Sequence, residues 1–303
     1  MKPQKSPFGV IIKCLLLFLL TQTGASLVIT MLYADSASLA GMSLAEADAV
    51  LLELMFAHQT EILLLSYAVI LLVLWFMAKR RKLNIFTFTG LQGSAKPAVL
   101  VLALAAGLAA AFWASIAVNR IPWPEALLEE YLTQSGALET ALPLVDFLTV
   151  VLVGPLVEEM IFRGVIYDAL CTFLPAGFAV VFQGMLFGSV HGSMIWILYA
   201  ALMGCLLGYV RKRTGSLRPC LLMHMAFNGA SYLFSAFAER YWEDSVTVMF
   251  VFLASAFVLL LSLYGISFRT GGEDTQNPEG KAAEAAFFAR HGLSKIVFFV
   301  III

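Results

Sequence analysis

Apolar runs of about 20 residues recur along this chain, separated by short polar loops, and they restrict its fold more than any other feature. A run of that length crosses the hydrocarbon of a bilayer as a helix. A helix also bonds its own backbone where no water can. Eight runs are expected, near 8–32, 56–78, 97–118, 142–170, 176–192, 195–210, 220–238 and 246–266. The chain is 61% hydrophobic and 13% charged, where a soluble domain carries about 25% charged residues. The expected fold class is all-α, a polytopic integral membrane helical bundle of about eight transmembrane helices.

The loops set an orientation. Lys/Arg clusters mark the cytoplasmic side. The N-terminal Lys2 and Lys5, Lys79–Lys82, Arg211–Arg218 and Arg269 fall on one side of an eight-span count. The acidic loops at 35–48 and 120–140 fall on the other. Both termini are therefore expected in the cytoplasm of a cell-membrane protein, with the bilayer as its surroundings. The first run resembles a signal peptide but is too long, so an uncleaved first span is expected. Neither a CaaX box nor a myristoylation signal is expected at the ends. Three units are expected: 1–141, with the first three spans; 142–267, a catalytic membrane core; and 268–303, a cytoplasmic tail. The run 296–303 is too short to span. Net charge is -1, and nucleic acid is not an expected partner. Cys14, Cys171, Cys205 and Cys220 are scattered without a CxxC pair, which argues against a disulfide framework or a thiolate metal site.

Within these limits some segments have distinct roles. The third span is rich in alanine and should pack closely. Gly184, Gly188 and Gly192, and Ala200, Gly204 and Gly208, recur at four-residue spacing, which admits a neighbouring backbone. The stretch 120–140 suits a short amphipathic helix on the membrane. The run 142–170 is long for one helix and should tilt, kink or break near Gly154-Pro155.

That run also holds Glu158, Glu159 and Arg163 in otherwise apolar surroundings. Ionised groups at membrane depth are expensive and usually face a protein interior or a wet cavity. Glu159 and Arg163, four apart, share a helix face; Glu158 sits about 100° away. Arg163 can thus neutralise Glu159 and leave Glu158 without a partner of its own, a condition suited to general-base work. A buried pair that only fixes packing is the competing reading. His191 ends the fifth span, four residues after Phe187, and His224 and Asn228 share a face of the seventh. Each alone is readable as interhelical glue. Together they place a glutamate and a histidine able to hold and deprotonate a water beside a histidine and an asparagine able to bond a developing oxyanion. By the span limits His191 lies near one membrane surface and His224 near the other, so the helices must be tilted, short or offset. Asp146, Asp168, His58 and Glu61 are read as interfacial. Gly188-Ser189 and Tyr167-Asp168 lack the GxSG and GxGD contexts of serine and aspartyl intramembrane proteases.

Glu158-Glu159-x-x-x-Arg163, Phe187-x-x-x-His191 and His224-x-x-x-Asn228 resemble, in order and placement, the three motifs of the CAAX-protease and bacteriocin-processing (CPBP, or Abi) family of intramembrane endopeptidases, which includes type II CAAX prenyl endopeptidases. The resemblance covers about 142–232. It implies that Glu158 and His191 activate the water, that His224 and Asn228 form the oxyanion hole, that Glu159 and Arg163 support, and that Phe187 shapes the pocket. No cofactor is expected, because HExxH is absent and Asn228 is a poor zinc ligand. If zinc is used, Glu158, His191 and His224 would be its ligands. The expected substrate is a membrane-associated peptide or protein, prenylated or a leader peptide. The alternatives are a scaffold or bacteriocin-immunity protein that keeps the site but acts by binding, and a transporter whose buried charges line an ion path.

Overall fold

The computed structural model describes residues 7–34, 39, 41–138, 143–235 and 245–271. Lys2, Lys5, Asp35, Glu139 and the C-terminal run 296–303 lie outside the described residues. Among the described residues the chain is helix and turn, with no strand. In chain order the helices are α1 (Pro7–Tyr33), α2 (Leu44–Ala57), α3 (Gln59–Arg80), α4 (Ile85–Thr89), α5 (Pro97–Arg120) and α6 (Glu125–Gly136). The broken helix α7 (143–170) follows, then α8 (Ala176–Ser189), α9 (Met194–Thr214), α10 (Leu217–Ser235) and α11 (Ser245–Arg269). This is an all-α polytopic membrane protein. Among the described residues five helices, α1, α3, α5, α9 and α11, are long and apolar enough to cross a membrane, and α8 is a shorter apolar helix.

Local chemistry sets the ends. Ser43 and Glu46 close a capping box on α2. Asn84 and Ser193 cap α4 and α9 through their side chains. Gly215 ends α9 in the left-handed conformation that glycine adopts without cost. After α5 the chain turns at Ile121, and Trp123 folds back so that its indole N–H donates to the Val118 carbonyl at 2.9 Å. The amphipathic α6 then begins.

Small residues decide the packing. In α5, Ala103, Ala106, Ala110 and Ala111 are buried against α10 and α11. A Cβ on Gly107 would collide with the Met223 carbonyl. Gly184 and Gly188 of α8 lie flat on α9, where added Cβ atoms would come within 2.8 Å of the Cys205 amide and 2.6 Å of the Ile197 carbonyl. A Cβ on Gly204 would come within 2.8 Å of the Gly184 Cα. The expected close approach is found at these glycines. Gly192 differs, lying in the turn beneath the Gln134 side chain of α6.

Helix α7 breaks on both sides of its glutamates. An α-turn at Gly154–Glu159 is bracketed by π-helical turns at Leu148–Val153 and Met160–Ile166. The first break has a cause in the sequence. The Gly154 amide bonds the Thr149 carbonyl, five residues back, and Pro155 has no amide to offer Val150 next in that register. The Val150 carbonyl is instead bonded at 2.9 Å by Asn228 Nδ2 of α10. The second π-turn ends alike. Tyr167 N–H bonds the Phe162 carbonyl, the ladder then returns to four-residue spacing, and the carbonyl of Arg163 is passed over. Arg211 Nε of α9 donates to it at 3.1 Å, while Nη2 of the same side chain bonds Asp168. The carbonyls of Val150 and Arg163 are thus each held by a side chain from another helix.

Asp146 is buried at the start of α7 and accepts a 2.6 Å hydrogen bond from Thr60 Oγ1 of α3. Asp168 is half exposed and paired with Arg211.

Candidate active site

The site assembles around Glu159. Its Oε1 accepts from Arg163 Nη1 at 2.9 Å and from His224 Nδ1 at 2.9 Å. The i, i+4 pair inferred from spacing is therefore present, and it also fixes a histidine. A carboxylate oxygen can only accept, so Nδ1 of His224 carries its proton and Nε2 faces outward, 3.8 Å from Glu158 Oε2. The Arg163 guanidinium lies over the Phe187 ring at 4.3 Å and donates to the Gly204 carbonyl at 3.3 Å.

Phe187 is the hub of the aromatic wall. Its ring meets His191 at 4.8 Å, His224 at 5.7 Å and Phe162 at 5.1 Å, each roughly edge to face. Its carbonyl is one of those that the end of α8 leaves without a helix partner, and His191 Nδ1 bonds it at 2.8 Å. Because a carbonyl only accepts, Nδ1 is the protonated nitrogen and Nε2 keeps a free lone pair. The cap of a helix end thus selects the tautomer of His191.

Helix α8 is short: its 14 residues rise about 21 Å at 1.5 Å each, less than the roughly 30 Å hydrocarbon. His191 and His224 meet the same ring, that of Phe187, so they lie near each other rather than at opposite surfaces as the span limits imply.

Glu158, Phe187, His191, His224 and Asn228 line one cavity of about 870 Å³. Helix α6 covers it, with Tyr131 packing edge-to-face on Trp196 and Tyr199 of α9. Glu159 and Arg163 are fully buried behind this wall. Glu158 is not without a partner, as spacing alone implies. The hydroxyl of Tyr67 on α3 donates to its Oε1 at 2.9 Å. The opposing oxygen, Oε2, faces His224. Among the described residues no three His, Cys, Asp or Glu side chains group closely enough to hold one metal ion.

Residues 140–230 match the family model described as type II CAAX prenyl endopeptidase Rce1-like. The similarity is confined to this segment. No curated protein and no solved structure matches the chain. The Rce1-like match supports an intramembrane-protease type of function acting on a membrane-associated protein substrate. It contains all seven residues singled out in the three motifs. Tyr67 and the covering helix α6 lie outside it. Sequence reasoning missed Tyr67 because a tyrosine in an apolar span carries no spacing signal and its partner is 91 residues away.

Proposed function

We propose that this protein is an intramembrane endopeptidase that hydrolyses a peptide bond of a membrane-associated protein or peptide, without a metal. The convergence of Glu158, His191, His224 and Asn228 on one cavity carries the reading. Glu158 Oε2 and the His191 Nε2 lone pair hold a water between them and take its proton. The hydroxide attacks the carbonyl carbon. The resulting oxyanion accepts hydrogen bonds from His224 Nε2 and from the second N–H of Asn228, whose first is committed to Val150. Donation from Nε2 requires the doubly protonated ring, because Nδ1–H already bonds Glu159. Collapse breaks the C–N bond, and the proton taken from water passes to the leaving amine. Glu159, Arg163 and Phe187 hold the histidines in place. Substrates are prenylated C-termini or leader peptides, and both protein termini lie in the cytoplasm of a multi-pass cell-membrane protein.

The test compares membranes holding wild-type protein with membranes holding Glu158→Ala, by N-terminal proteomics. A new terminus present only with the wild type is expected. Identical termini in both, with the two proteins equally abundant, would favour the binding-scaffold alternative.

A further inference from the structure

We propose that Tyr67 is a positioning residue for the catalytic carboxylate, holding Glu158 by one oxygen so that the other faces the reacting water. The inference rests on the proposed role of Glu158 as base. Tyr67 is 4% exposed and lies on α3, outside the segment that matches the protease family. Its hydroxyl donates to Glu158 Oε1 at 2.9 Å. Its ring passes across Gly154, one turn before Glu158, where an added Cβ would lie 3.2 Å from the tyrosine oxygen and 3.5 Å from Cε2. The break in α7 and the missing side chain at 154 thus make room for a tyrosine from a distant part of the chain. Tyr67 also lines the cavity.

The chemistry of the bond explains its use. A carboxylate turns easily about its last torsion, and a base that turns spends part of its time misdirected. With Oε1 pinned, Oε2 is left toward His224 Nε2, 3.8 Å away, and toward the open cavity. The groups facing Glu158 are Tyr67 from α3, His191 from the turn after α8 and His224 from α10. Glu159 and Arg163 lie on its own helix.

The experiment uses the full-length protein in detergent with two internally quenched probes, a farnesylated CaaX peptide and an unlipidated apolar peptide. Tyr67→Phe removes only the hydroxyl. The expected result is a fall in kcat of about 10- to 100-fold, the usual range for an outer hydrogen-bond partner. KM should be little changed. A Tyr67→Phe protein with wild-type kcat would overturn the inference while leaving the protease reading intact. If the wild type shows no Glu158-dependent cleavage of either probe, the protease reading fails instead. The contact is then judged by melting temperatures of Tyr67→Phe, Glu158→Gln and the double variant. Non-additive shifts support the hydrogen bond, and additive shifts remove it.

Discussion

Glu158 and Glu159 are adjacent in the chain, and their surroundings give them different work. Glu159 binds a guanidinium and an imidazole through one oxygen and is buried among them. Glu159→Ala strands Arg163 and releases His224, and breaking a buried pair costs about 3–5 kcal/mol. We expect a large drop in melting temperature in detergent, with activity lost as a consequence. Glu158→Gln keeps an oxygen for Tyr67 to bond and should stay folded in the membrane while losing cleavage. A stable, inactive Glu159→Ala beside an active Glu158→Gln would reverse the assignment. Asn228 has two tasks, and Asn228→Ala should show both. Activity should fall about 10²–10³-fold, as for loss of one oxyanion donor, and the melting temperature should also fall because Val150 loses its partner. A fall in melting temperature with kcat per folded molecule preserved would leave Asn228 as a tie between helices only. Chelation should not inhibit. Inhibition by 1,10-phenanthroline reversed by zinc, with stoichiometric zinc in active protein, would replace the metal-free mechanism.

At the scale of helices, α8 and α9 pack closely, and their glycines permit it. Gly188→Ala places a methyl 2.6 Å from the Ile197 carbonyl, and overpacking of this kind costs about 1–3 kcal/mol. The separation it forces would also lift the turn bearing His191. Loss of stability together with lost cleavage is therefore expected from thermal and activity assays. Cleavage at the wild-type rate in a destabilised Gly188→Ala would detach the turn from the chemistry. This contact was legible beforehand, because four-residue glycine spacing has a direct packing meaning. The break at Gly154-Pro155 was legible for the same kind of reason, since proline removes a donor. The second π-turn, at Met160–Ile166, was not. It contains no proline, and its support is the distant Arg211. Helix α8 was expected to reach Gly192 and stops at Ser189.

For the molecule as a whole, apolar runs revealed the class of fold and three motifs revealed the polar cluster, because both are written in local spacing. Contacts between spans are not. Tyr67 on Glu158, Thr60 on Asp146 and α6 over the cavity depend on how helices far apart in the chain come to lie together. The cavity is lined from the helix ends nearest α6, and the basic clusters at Lys79–Lys82 and Arg211–Arg213 lie at the opposite ends. By the positive-inside rule the clusters are expected in the cytoplasm. In a background without the native cysteines, Ser94→Cys should react with an impermeant maleimide only after cells are opened. Gln134→Cys, on α6, should react from outside. Labelling of Gln134→Cys only from the cytoplasm would invert the topology.

The two π-turns also make α7 a helix whose residues are counted as well as chosen. Each such turn holds about one residue more than an α-turn. Leu152 is 39% exposed, its side chain turned outward from the bundle, so exchanging it for another apolar residue should be tolerated. Deleting it would tighten the π-turn to α geometry, and the turn would close with one residue fewer, so the residues on either side would keep their facing. A deletion within the α-helical Gly154–Glu159 would instead turn what precedes it by about 100° about the axis. In a scan of single-residue deletions across 143–170, intolerance should therefore peak in Gly154–Glu159 and be lower within the two π-turns. Each π-turn would thus act as slack in the length of the helix that carries the glutamates.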